Sequence, residues 1–255
     1  MTVEPFDVRK KCRGPQPDVR FNFIAGSLYD YYYGHLTAII VITDLEALVD
    51  LTCPARAVVP SLDAEVLLVL AGTTMLLTGR QVHRLAEVGS QDGVRKVLLR
   101  LEEQGLVDVV EAGRANLYTL NRDHVAAPAI LALVGLRGRL FERIREAICA
   151  WSVQPVAAAV FGSAARGDGG VQSDIDVFVV RPEEVPDDDL RWSNDVAALG
   201  TAIRRWSGNS ASLIQATPAQ VASMISRGEP IVESLRRDAV SLFGPNILTV
   251  TKVGK

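Results

Sequence analysis

Two short motifs carry the groups in this chain best suited to chemistry. Gly162-Ser163 stands ten residues ahead of Asp174-Ile175-Asp176, and short apolar runs flank both. Alternate residues on a strand project to one side, so Asp174 and Asp176 bring two carboxylates close enough to share a cation. Left alone, the pair would repel. A hard divalent ion such as Mg²⁺ takes one or two carboxylates and fills its shell with substrate phosphates, so the pair suits phosphate chemistry. Small residues at Gly162-Ser163 let backbone amides approach a phosphate, and the Ser163 hydroxyl adds a hydrogen bond. Together they describe a cradle for a nucleoside triphosphate, with a phosphate end and a metal end.

The elements that must position these motifs follow from periodicity. "PVAAAVFGS" reads as a strand, "AARG" as a short helix or turn, and "DIDVFVV" as a second strand. A long helix with Leu190, Val196, Leu199 and Ile203 follows, then a third strand within "SASLIQAT". The run Asp187-Asp188-Asp189 opens that helix and suits its amino-terminal dipole. The last stretch predicts two helices broken at Gly228, the second running from about Glu229-Pro230 to Gly244.

Upstream, residues 1–60 mix a charged, proline-containing start with four of the five tyrosines. Thr37 to Thr43 is rich in β-branched residues and reads as a strand, while Leu45, Leu48, Val49 and Leu51 could line a short helix. No function is assigned to that segment, and "CPARAVVPS" reads as a linker. From Ser61 three helices are expected, capped by Ser61, Thr78 and Ser90, with the third stopping at Gly105. "LVDVVEAGRANLYTL" then alternates as a hairpin turning at Ala112-Gly113-Arg114-Ala115. Asp123 to Trp151 predicts one long apolar helix, which could pack within the chain or pair with a second copy in a homodimer.

Residues 61–122 resemble the winged helix-turn-helix family, most fully along "VRKVLLRLEEQGLVDVVEAGRANLYTLN". That resemblance implies a DNA-binding module whose third helix enters the major groove and whose wing touches the backbone. Gln91, Arg95 and Lys96 would then face DNA, with Arg114 at the wing tip and Arg80 and Arg84 on the preceding helix. Charged residues on an exposed helical face are also ordinary solvated surface, and Asp92, Glu102 and Glu103 dilute the basic character.

The motif between the later strands resembles the nucleotidyltransferases of the DNA polymerase beta superfamily, most closely their minimal domains. Gly162, Ser163, Asp174 and Asp176 match the signature, Arg166 and Gly167 match its "GSxARG" form, and Ser173 precedes the first aspartate. The resemblance spans about Val153 to Pro245. It implies transfer of a nucleoside monophosphate from a nucleoside triphosphate to an acceptor hydroxyl, with pyrophosphate released. Asp174 and Asp176 would hold Mg²⁺ or Mn²⁺, and Gly162, Ser163 and Arg166 would hold the phosphates, with Ser163 beside the catalytic aspartates. One feature departs from the pattern: active relatives carry a third carboxylate on the next strand, and here that strand reads Ser210-Ala211-Ser212-Leu213-Ile214-Gln215. Ser212 stands nearest the expected position, with Gln215 as the other option.

The fold class expected is therefore α+β in two domains, a winged helix-turn-helix at 61–122 and a small polymerase-beta-like nucleotidyltransferase domain at 153–255, joined by a connecting helix at 123–152. Three functions stay open. The chain is a transferase acting on a DNA-, RNA- or protein-borne acceptor, a winged-helix transcriptional regulator or antitoxin that binds nucleotide with little turnover, or a pair of interaction modules in a toxin-antitoxin system. A formal net charge of −3 gives no global attraction to nucleic acid, so any DNA contact must come from a local patch. Cys12, Cys53 and Cys149 are scattered, and His35, His83 and His124 stand at no metal-ligand spacing, so no zinc site is expected. The longest early apolar run, Leu36 to Ile42, is too short to span a bilayer, and with no signal-peptide pattern a cytoplasmic protein is expected.

Overall fold

A computed structural model describes residues 54–169 and 173–252. The strand and helix expected between Thr37 and Leu51 lie outside the described residues. The expected linker begins with a 3-10 turn at Pro54–Ala57, whose Ala55 is buried against Ala64.

Three helices come first: α1 at Leu62–Ala71, α2 at Gly79–Ala86 and α3 at Gln91–Glu103. Thr78 caps α2 in a reciprocal capping box with Gln81, and the Ser90 hydroxyl accepts from the Gly93 amide at the start of α3. Ser61 departs from expectation: it stands at the N-cap of α1, but its hydroxyl donates to Asp63 at 2.6 Å and caps no backbone amide. A two-residue strand β1, Leu77–Thr78, joins the hairpin β2, Val107–Ala112, and β3, Ala115–Leu120, in an antiparallel sheet of order β1-β3-β2. Gly113, at φ +64°, supplies the left-handed residue the hairpin turn needs. Val66, Leu70, Val82, Val94, Leu98 and Tyr118 close one apolar core between these helices and the sheet.

The long helix expected over Asp123 to Trp151 is two helices, α4 at Ala127–Val134 and α5 at Leu136–Cys149. Gly135, at ψ 2°, ends the first and begins the second. Glycine is a poor helix former, and here the two helices serve different cores. Ile130 of α4 is buried in the first core, whereas Leu140, Ile144 and Ile148 of α5 are buried in the next.

That second region is a mixed sheet of order β6-β5-β4-β7, formed by β4 at Ala157–Phe161, β5 at Ile175–Val180, β6 at Ala211–Ala216 and β7 at Val240–Phe243. β4 is antiparallel to β5 and β7, while β5 and β6 are parallel across the crossover helix α7, Leu190–Ser207. Both faces are covered, which explains the nearly unbroken apolar runs in β4 and β5. Ala158, Val160, Val177 and Val179 face α5 and α7; Ala157, Ala159, Phe161, Phe178 and Val180 face α8, Pro218–Arg227, α9, Pro230–Asp238, and the terminal 3-10 turn Ile247–Lys252. β7 corrects the sequence reading, which ran a helix through to Gly244. Without β7, the fully buried β4 would have one row of backbone groups unpaired, so its pairing with Val240–Phe243 overrides a helical pattern.

Candidate active site

The two motifs meet at one end of the β4-β5 pair. Asp176 on β5 stands across from Phe161, the last residue of β4, and on its other side from Ser212 of β6. The chain leaves β4 through Gly162, at φ +71°, and enters a single helical turn, α6, Gly162–Arg166. The left-handed backbone favours glycine, and so does the close approach. A Cβ at position 162 would lie 2.7 Å from Asp176 Oδ2.

Asp176 is half-buried, whereas Asp174 is exposed in the approach to β5. Burial pushes the Asp176 carboxyl above its usual range, Asp174 adds repulsion in the same direction, and a hydrogen bond with Ser212 offsets part of both. The loop before the strand is pinned by buried Asn209, whose side-chain amide donates to the Ser173 carbonyl at 3.1 Å. The Ile175 amide donates to the Ser210 carbonyl at 2.8 Å, fixing the start of β5 beside β6.

Beyond the Gly162-Ser163 turn, Gly167, at φ +80°, caps α6 and donates its amide to the Ser163 carbonyl at 2.8 Å. Gly169 is packed so closely that a Cβ there would lie 2.9 Å from Ser163 Oγ. Arg166 points along the other side of the turn. Its Nε donates to Asp168 at 2.8 Å and its Nη1 to Asp238 at 2.5 Å, and these carboxylates hold the guanidinium firmly charged. Asp238, at the end of α9, has a side chain only 1% exposed and also receives Arg237 at 2.9 Å. Asp238 and Asn209 are site-shaping residues that the sequence reading did not name; no local spacing marks a contact made across 72 residues.

Of the two options for the missing acid, Ser212 occupies the position beside Asp176. Gln215 lies further along β6 and accepts from the Trp192 indole at 2.6 Å, a structural role. Among the described residues, no three histidine, cysteine, aspartate or glutamate side chains gather into a metal cage. The oxygen donors present, Asp174, Asp176 and the Ser212 hydroxyl, do fit a hard divalent cation that leaves room for substrate phosphates.

The residues expected to face DNA are partly gathered. Gln91, Arg95 and Arg114 line an open groove of about 560 Å³ with Arg80, Asn116 and Tyr118. Lys96 is not among the lining residues, and its ammonium reaches Asp92 at 3.0 Å. Asp92 also pairs with Arg95, and both partners, Lys96 first, hold its carboxyl below the usual range. Arg84 is exposed outside the groove.

Residues 141–205 match the family model of the nucleotidyltransferase domain. The match covers most of α5, then β4, α6, β5 and most of α7, and includes Gly162, Ser163, Asp174 and Asp176. No curated protein and no solved structure matches the chain. The chain thus carries, within a mixed α+β structure, a segment similar to the nucleotidyltransferase domain. Among the described residues, no helix is long and apolar enough to cross a membrane.

Proposed function

We propose that this protein transfers a nucleoside monophosphate from a nucleoside triphosphate to an acceptor hydroxyl, with a divalent cation, Mg²⁺ or Mn²⁺, held by Asp174 and Asp176. The observation that carries the reading is the approach of the Asp176 carboxylate to the Gly162 backbone within the segment matching the nucleotidyltransferase domain. It puts a metal-binding oxygen and a side-chain-free turn against each other. Phosphate and cation need the same juxtaposition.

When bound, the cation supplies charge that offsets the negative charge on the attacking and leaving oxygens. Gly162 and Ser163 bind the outer phosphates, and the Asn209 and Ser210 contacts keep the loop of Asp174 in register. Arg166 stands near those phosphates but is shared with Asp168 and Asp238, so it shapes the turn as well as charging it. Ser212 is no base at neutral pH, so the acceptor hydroxyl loses its proton without a carboxylate from β6. That substitution favours a second reading, in which the domain binds nucleotide and turns it over slowly or not at all.

In this proposal, residues 61–122 form a winged helix-turn-helix module, 123–152 connect it, and 153–255 form the transferase domain. The groove bearing Arg80, Arg95 and Arg114 supports DNA as the partner of the first module. The direct test incubates the full chain with each labelled nucleoside triphosphate, Mg²⁺ and DNA, RNA or protein acceptors. Transfer abolished by Asp174→Ala and Asp176→Ala supports the enzyme; nucleotide binding without transfer supports the regulator. Nucleotide affinity unaffected by either substitution overturns the site.

A further inference from the structure

Arg137 lies in the first turn of α5, two residues beyond the Gly135 break and outside the segment matching the nucleotidyltransferase domain. Its guanidinium takes the space that a side chain at position 167 would fill. A Cβ built on Gly167 falls 1.5 Å from Arg137 Nη1 and 2.8 Å from its Cζ. Gly167 caps the carboxy-terminal end of α6 with its amide on the Ser163 carbonyl, and Gly169, two residues on, packs against Ser163 Oγ, so the cation lies on the loop that returns to the Ser163 side chain.

The charges around it make this placement unusual. Arg166 and Arg237 share Asp238, and Arg166 also holds Asp168, so two cations meet two carboxylates and cancel. Arg139, two residues on, is paired with Glu142. Arg137 is half-buried, yet among the described residues it has neither an ion pair nor a hydrogen bond. A guanidinium offers five donors in a rigid fork, and those of Arg137 reach no protein acceptor among the described residues while staying open to solvent. A polyphosphate at the Ser163 turn would meet that fork with oxygens of opposite charge.

We propose that Arg137 is a second phosphate-binding residue of this site, contacting the outer phosphates of the nucleoside triphosphate beside the Gly162-Ser163 turn. The proposal rests on the reading of that turn as a phosphate site. It gives the site an uncompensated cation that Arg166, tied to two carboxylates, does not provide.

Calorimetric titration of the full chain with Mg²⁺-tripolyphosphate isolates the phosphate contact from base recognition, and titration with the four nucleoside monophosphates serves as a control. Arg137→Ala should weaken tripolyphosphate binding by about tenfold or more, as expected for loss of a hydrogen bond between charged groups. Arg137→Lys should recover part of the loss, and monophosphate affinity and Tm should change little. Unchanged tripolyphosphate affinity in Arg137→Ala, while Asp174→Ala still weakens it, overturns the role of Arg137 and leaves the site standing. An equal loss for tripolyphosphate and monophosphates, accompanied by a lowered Tm in both variants, identifies a packing role and also overturns it. A wild-type chain that binds no tripolyphosphate and no nucleoside triphosphate overturns both the residue and the site.

Discussion

Asp176 and Ser212 face each other across the parallel pair β5-β6, and the Ser212 side chain opposes the rise that burial imposes on the Asp176 carboxyl pKa. The third acid expected from the resemblance would stand at this register position, so one substitution tests what its absence costs. Ser212→Asp adds a carboxylate that can take the acceptor's proton. The transfer rate should then rise by about a hundredfold, the scale of general-base assistance. Single-turnover rates with saturating Mg²⁺ would measure it, and an unchanged rate would show that proton removal does not limit the reaction.

Asp176 also stands under tension that a neutral analogue relieves. Its pKa is raised by burial first and by Asp174, so folding favours the protonated form. For such a group, stability is present below the unfolded pKa and is lost as pH rises through the folded pKa. Asp176→Asn should therefore raise the Tm of the metal-free protein at pH 7 by about 1 to 3 °C while abolishing Mg²⁺-dependent nucleotide binding. Thermal melts from pH 3 to 8 should show the advantage fading toward the acid end. A lower Tm in the variant at neutral pH would mean that the carboxylate is a structural group.

Gly162→Ala tests the close approach itself. The methyl would meet Asp176 Oδ2 at 2.7 Å on a backbone at φ +71°, so either the carboxylate or the turn must move. Left-handed backbone costs an alanine about 1 kcal/mol. Nucleotide affinity should fall about tenfold or more, a loss that a drop of that size in folding stability does not itself produce in a chain that stays folded. Equilibrium urea unfolding and nucleotide titration on the same preparation separate the two effects.

Asp238 carries the acid sensitivity of the α6 turn, which it holds through Arg166. Arg237 first, then Arg166, hold its carboxyl below the ordinary value of 3.8 against the opposing effect of burial. A depressed carboxylate contributes stability above its unfolded pKa and loses it as pH falls through the folded value. Asp238→Asn should lower Tm at pH 7, and the gap from wild type should close below about pH 4. A gap that does not narrow as pH falls would assign the loss to packing instead.

The meeting of the two motifs was legible in the sequence because it is local. Gly162, Ser163, Asp174 and Asp176 lie within 15 residues, and the strands they adjoin, β4 and β5, pair directly, with Asp174 standing just before β5. What escaped depends on distant partners. Val232, Leu235, Ala239 and Leu242 keep a helical spacing through the point where α9 ends, and only the unpaired side of β4 turns Val240–Phe243 into a strand. Gly135 broke an otherwise continuous apolar pattern because the residues on either side serve different cores. Neither the Asp238–Arg166 pair nor the placement of Arg137 on Gly167 has a signature at any fixed spacing, since each joins two elements far apart in the chain.

The groove between α3 and the hairpin makes a prediction that separates two neighbouring cations. Arg95 and Arg114 line it, whereas Lys96 lies outside and is held by Asp92. If the groove receives the DNA backbone, Arg95→Ala and Arg114→Ala together should reduce the slope of log affinity against log salt by about two. Lys96→Ala should leave the slope nearly unchanged, because Lys96 lies outside the groove. Fluorescence anisotropy of a labelled duplex across a salt series supplies both slopes. Arg95 is paired with Asp92 as well, at 3.2 Å, so DNA must compete for it. Asp92→Asn should therefore tighten binding, and a weaker complex in that variant would place the nucleic acid on another surface.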